Sequence, residues 1–314
     1  MSPEVTTTLV LICIYGMMAI ATQLGLLAGA LSMAPAGWAA IGAYATAVVT
    51  TKWDQSPYLG LLLGAVVGAA LGPVVMLPVR RIRGLYFALV SLAFVMVTQA
   101  TFSNTEYFGG SLGIFGIPLT TTLTTAFIGL VLSSLAAAYV SSGRLGVAVR
   151  AAGQDPLVAK ALGVSVNRIH LIIGSVSSAI AAAAGSLYVG YVGYIDPLQF
   201  GFHFTIMLVL MVIIGGRKSW IGAILGAAFI VSLPEVLRPV AEWREVVNGA
   251  LLIAVVILQP DGLLGLIERT KRFVVGRLPG RAAAVPVDVS TLSAGGNPGS
   301  ALNTELADAR GDRR

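Results

Sequence analysis

Long apolar stretches at residues 7–30, 35–51, 57–79, 85–102, 120–140, 169–191, 202–214, 220–233 and 246–258 leave this chain little choice of environment. A bilayer-crossing helix needs about 20 mostly apolar residues. Within hydrocarbon, each backbone amide must be satisfied inside its own segment or by neighbouring protein. The expected fold is therefore an all-α integral membrane protein, a multi-span helical bundle of about eight to ten spans. Composition agrees: 56% of residues are hydrophobic and 11% charged, with mean hydropathy +0.87, whereas a soluble domain carries about a quarter charged residues. Three stretches, 35–51, 202–214 and 220–233, are short for a crossing and read as tilted, broken or re-entrant.

The net charge of +6 is not a nucleic-acid footprint, because Lys and Arg are spread over short loops and the tail. Basic clusters at Arg80, Arg81 and Arg83, at 143–168, at Arg217 and Lys218, and at Arg269, Lys271, Arg272 and Arg277 alternate with loops holding Glu106, Asp196 and a mixed 235–245 segment. Basic loops stay in the cytoplasm, so the C-terminus is expected inside and the N-terminus outside. The start of the chain lacks the basic region and cleavage site of a signal peptide, so the first apolar run reads as retained. Cys13 is the single cysteine, which excludes an intrachain disulfide and a cysteine-cluster metal site. After about residue 278 the composition turns to Gly, Ala, Pro, Asp and Arg. The division expected is a transmembrane domain over 1–278 and a disordered cytoplasmic tail over 279–314.

One polar island, 143–168 (GRLGVAVRAAGQDPLVAKALGVSVNR), interrupts the apolar pattern. It sets Arg144, Arg150, Lys160 and Arg168 against one acid, Asp155. Its punctuation is local: Gly153 can end one helix in the left-handed conformation, Asp155 can cap the next, Pro156 suits its first turn and Gly163 closes it. A short capped helix with basic flanks, hung between two spans, reads as a docking element on the cytoplasmic face. The alternative is an ordinary passive connection.

Glycines at Gly60, Gly64, Gly68 and Gly72, a second pair at Gly222 and Gly226, and small residues over 179–186 each lie on one helix face. Close backbone approach drives helix association in lipid, so these stripes serve either packing within the bundle or an interface offered to another subunit. Ionisable residues inside the spans are almost absent, which disfavours an autonomous ion-coupled carrier. Gly109-Gly110-Ser111-Leu112-Gly113 matches G-x-S-x-G, yet it follows a membrane span rather than a strand, so a glycine-rich connection is the better reading. His170 sits beside Arg168 at a span boundary and reads as interfacial rather than as a metal ligand; His203 begins a span. Gly215-Gly216-Arg217-Lys218-Ser219 lacks the spacing of a phosphate loop, so any ATP must bind another polypeptide.

Several stretches together resemble the LivM-type permeases, the membrane subunits of ABC importers for branched-chain amino acids and related solutes. Residues 81–94 (RIRGLYFALVSLAF) resemble that family's R-x-R-G-x-Y-F-A-[IL]-x-T-L-A-F signature, and 109–118 (GGSLGIFGIP) its glycine-rich segment. AKALGV at 159–164 with Asn167 and Arg168 resembles its coupling loop, and QPDGLL at 259–264 the close of its terminal span. Two positions depart from the pattern: Lys160 stands where an acid is usual, and Ala34-Pro35-Ala36-Gly37-Trp38 lacks a common histidine. The resemblance implies a permease dimer, usually of two related chains, with two cytoplasmic ATPases and an external solute-binding protein in a bacterial inner membrane. ATP would sit on the partner subunits, and this chain would bind no cofactor and catalyse no reaction. Asp155, Pro156, Lys160, Gly163 and Arg168 would then couple to the ATPase, while Tyr86, Phe87 and Ser91 would approach the path or the partner permease, with interfacial anchoring as the alternative. Two rival functions remain open at this point: a stand-alone channel or facilitator for a urea- or amide-like solute, and an intramembrane enzyme built on Ser111.

Overall fold

The computed structural model describes residues 3–76, 82, 84–217 and 219–236. In chain order the helices are α1 (Pro3–Leu27), α2 (Pro35–Thr51), α3 (Pro57–Met76), α4 (Leu85–Asn104), α5 (Leu123–Ser141), α6 (Gly143–Gln154), α7 (Pro156–Ala161), α8 (Val166–Val192), α9 (Phe202–Gly215) and α10 (Trp220–Val236). Short 3₁₀ turns occupy Glu106–Phe108, Gly110–Leu112 and Pro197–Phe200. Strands β1 (Ile114–Phe115) and β2 (Tyr194–Ile195) form a small antiparallel ribbon, with Ile114 opposite Ile195 and Phe115 opposite Tyr194. The all-α membrane architecture expected from the sequence is thus the one observed, with a ribbon added at one end.

Among the described residues, five helices are long and apolar enough to cross a membrane, or six if α9 and α10 form one bent span. The apolar stretch 246–258, the tail and the boundary near 278 lie outside the described residues. The three stretches read as short are the described ones that do not meet this length test singly. Helix α2 stops at 17 residues, and all of them are buried except Ile41, Ala45 and Thr51. Helices α9 and α10 meet at 118°. The Gly215–Ser219 stretch is their break, not a phosphate loop, and Gln23 of α1 donates from Nε2 to Arg217 O there (3.3 Å).

The glycine stripes are consumed inside the chain, which corrects the idea that one copy presents them to another subunit. On α3, a Cβ at Gly64 would come within 2.9 Å of Gly42 Cα on α2, and one at Gly68 within 2.7 Å of Ser178 O on α8. Gly222 of α10 meets the backbone of Gly215 and Gly216 in the same way. Absence of side chains lets α2, α3 and α8 touch backbone to backbone, the contact that holds helices together where no hydrophobic drive operates. Buried hydroxyls reinforce it: Ser186 Oγ donates to Gly42 O (2.9 Å), and Ser177 Oγ to Ala21 O (2.8 Å). Tyr44 of α2 stacks on Phe102 of α4 (4.0 Å between centroids), and Trp38 lies against Phe94 (5.1 Å). The faces of α3, α4 and α5 turned away from this core carry Leu62, Val66, Leu89, Val97, Phe127 and Leu132, all exposed and apolar, as lipid contact requires.

The bundle has two chemically distinct ends. At one, the α4–α5 and α8–α9 loops join through the ribbon, and Gly190 O accepts from Thr120 N and Thr121 N. At the other, the end of α1, the start of α4 and the start of α8 meet α6 and α7 around a shared cavity.

Candidate functional site

The island folds as two helices sharing one punctuating residue. Asp155 closes α6, where its N–H donates to Ala151 O (3.1 Å), and it opens α7. Its carboxylate accepts from Leu157 N (2.8 Å) and Val158 N (3.2 Å), with Pro156 at the first helical position. Gly163 takes φ +83° as the chain leaves α7, and its N–H donates to Lys160 O (3.0 Å). The helix start, the proline and the glycine stop all fall where capping chemistry placed them.

Gly153 does not. It lies within α6, outside the left-handed region, and its missing side chain serves another purpose. A Cβ on Gly29, in the α1–α2 linker, would come within 2.7 Å of Gly153 O, and a Cβ on Gly153 would strike Leu27 O and Gly29 N. The island is therefore pressed against the linker, backbone on backbone.

Helix α7 points an aliphatic surface outward. Leu157 and Leu162 are 68% and 76% exposed and Val158 is exposed between them, whereas Ala159 faces the protein. Lys160 and Arg168, both exposed, flank this surface. The sequence reading selected the polar and punctuating residues here and missed the three aliphatic ones. Their signal was available: apolar residues in a polar segment too short to bury them.

A cavity of about 260 Å³ lies beside α7, bounded by Gly29, Gly84, Phe87, Gly153, Lys160 and His170. His170, expected at an interface, is buried instead, with Nε2 3.2 Å from Ala28 O of the linker. Because a carbonyl can only accept, Nε2 is the donor.

Tyr86, Phe87 and Ser91 do not share a surface. Tyr86 is 73% exposed on the outer face of α4, whereas Phe87 and Ser91, four residues apart, turn inward. Ser91 is fully buried; its Oγ accepts from Met33 N (2.9 Å) and donates to Ala88 O (2.9 Å). Arg80, Arg81 and Arg83 lie outside the described residues. At the opposite end, Ser111 is exposed within the Gly110–Leu112 turn, between Gly109 (φ +84°) and Gly113 (φ +78°). A Cβ at Gly113 would strike Ile195 O across the ribbon. This loop needs glycine for its path.

An apolar helical bundle with several helices long enough to cross a bilayer defines a multi-pass membrane protein. Residues 5–256 match the family described as branched-chain amino acid transport system, permease component, and the chain belongs to that family. It is 28% identical to the high-affinity branched-chain amino acid transport system permease protein LivM of Salmonella typhimurium, over 82% of this chain and 69% of that one. The LivM protein of Escherichia coli is 29% identical over the same shares. The LivH permease protein of Salmonella typhimurium is 31% identical over 54% of this chain and 55% of its own. No solved structure matches the chain.

Proposed function

We propose that this chain is a permease subunit of an ABC importer for branched-chain amino acids or a related small polar solute, and that α7 is its coupling helix. The observation that carries the reading is the aliphatic surface of Leu157, Val158 and Leu162 on a helix capped at both ends by Asp155 and Gly163. A rigid short helix with exposed apolar residues fits a groove on an ATPase subunit, as amphipathic helices fit grooves elsewhere. Pro156 fixes the helix start, and Lys160 and Arg168 supply charge at its rim. Tyr86, the exposed member of its motif, faces the second permease, while Phe87 and Ser91 act inside this chain. The island end and the C-terminus lie in the cytoplasm, and the ribbon end faces the external solute-binding protein. The chain itself binds no ATP and catalyses no reaction; two partner ATPases supply the energy.

Reconstitution tests this. In proteoliposomes the purified chain alone gives no concentrative uptake, and adding the second permease, the ATPases and the binding protein brings both hydrolysis and accumulation. Accumulation by the isolated chain under an ion gradient would refute it.

A further inference from the structure

The α1–α2 linker, 28–34, is an irregular segment inside an otherwise helical bundle. Ala28, Ala30, Ser32 and Ala34 are each at most 2% exposed. Buried non-helical backbone needs protein to satisfy it, and here two elements hydrogen-bond the linker while a third packs on it. Helix α6 presses on Gly29 through Gly153. Helix α8 reaches Ala28 O through His170 Nε2 (3.2 Å), and α4 receives Met33 N on Ser91 Oγ (2.9 Å). Directly beyond the linker begins α2, the most enclosed of the apolar helices, pressed on α3 and α8 through Gly42. The cavity of about 260 Å³ adjoins Ala28, Gly29 and Ala30 on one side and Ala152, Gly153 and Lys160 on the other. The island thus has room to move, and a solid contact to move against.

We infer that the linker is the transmission element of the importer, and that Gly153, Gly29 and His170 are positioning residues carrying displacement of the coupling island to α2, with Ser91 fixing the far end of the linker to α4. This rests on the coupling reading of α7. Packed protein has discrete arrangements rather than continuous elasticity, so backbone contact at Gly29 and Gly153 passes motion on where a flexible side chain would absorb it. The hydrogen bond from His170 makes α8 and the linker travel together. Removing it leaves the linker tied to α4 at Ser91 but no longer to α8 through this bond.

The test uses the complete importer in proteoliposomes and reads solute accumulated per ATP hydrolysed. His170→Ala lowers that ratio about five-fold or more, the lower end of ordinary coupling between sites. His170→Gln, whose amide can donate in place of Nε2, restores most of it. An unchanged ratio in His170→Ala, or equal loss in His170→Gln, overturns the inference, since the second result assigns the effect to packing alone. Should His170→Ala fail to insert, Ser91→Ala carries the same test by removing only the hydroxyl that accepts Met33 N, and an unchanged ratio there overturns the inference equally. A direct readout accompanies it: Cys13→Ala with Trp53→Cys places one label just past α2. Its ATP-dependent signal disappears with His170→Ala; persistence of that signal counts against transmission. Leu162→Asp separates the two readings. If Leu162→Asp uncouples while His170→Ala does not, the relay alone is wrong; if neither uncouples, the coupling assignment itself fails.

Discussion

Gly163 offers the sharpest perturbation of α7, the proposed coupling helix, because its environment removes the usual ambiguity of glycine substitutions. Its φ is +83°, and a Cβ built there meets nothing within 4 Å. A Cβ therefore meets no steric obstacle within the chain, and the cost falls on backbone conformation. An L-residue in the left-handed region costs about 1–2 kcal/mol, Asn least because it visits that region readily. A β-branched residue belongs at the upper end of the range for strained backbone, about 3 kcal/mol. Helix α7 has six residues and one side-chain cap, Asp155, worth about 0.5–2 kcal/mol. Strain of about 2 kcal/mol is roughly a thirty-fold change in the population of the intact helix. The expected order of coupling loss is Gly163→Asn, then Gly163→Ala, then Gly163→Val, measured as solute-stimulated hydrolysis and uptake in the reconstituted complex at equal membrane content. An order following side-chain volume, with Asn worse than Ala, would refute the argument, as would wild-type coupling in Gly163→Val.

Leu162→Asp, on the exposed aliphatic surface, leaves the chain folded and inserted but abolishes co-purification with the ATPase subunits; retained association removes α7 from the interface. Gly72→Leu drives a side chain into Ser178 and the Gly174 carbonyl, and overpacking of this kind costs about 1–3 kcal/mol, seen as a lower thermal midpoint in detergent. An unchanged midpoint would show that the α3–α8 contact is looser than described. Tyr44 is buried with no hydrogen-bond partner for its hydroxyl among the described residues, so Tyr44→Phe keeps the stack on Phe102 while removing a polar group whose burial costs about 1–3 kcal/mol. The midpoint holds or rises in that variant; a fall means the hydroxyl has a partner in the membrane-embedded protein.

What the sequence disclosed and what it hid divide by distance along the chain. Asp155, Pro156 and Gly163 were legible because capping joins residues two to four apart, and such chemistry is written locally. The same local logic misread Gly153, whose lack of a side chain answers to Gly29, on the far side of four helices in chain order. His170 shows the same limit, since its partner Ala28 lies 142 residues away. Hydropathy marked 35–51 as apolar, but it does not separate burial in protein from exposure to lipid, and α2 is of the first kind. In the α4 motif, three adjacent chemical residues invited one role, yet 100° of helical rotation separates Tyr86 from Phe87. The glycine stripes were recognisable as contact surfaces; only the fold says that α2, α8 and α9 already occupy them.

Helix α2 also bears on how the protein comes to be made. Seventeen residues rise about 26 Å, short of a hydrocarbon layer about 30 Å thick, and its buried surface includes Gly37, Gly42, Thr46 and Thr50 rather than an even coat of large aliphatics. As it leaves the ribosome it has only α1 beside it, while its main contacts, α3 and α8, are still to be synthesised. It enters its final place as a late guest rather than as an early anchor, so biogenesis of this chain runs against the order of its sequence. The helix at the centre of the finished bundle is the one that must wait for the others, and a chain interrupted before Val166 lacks α8, one of the two helices that seat it.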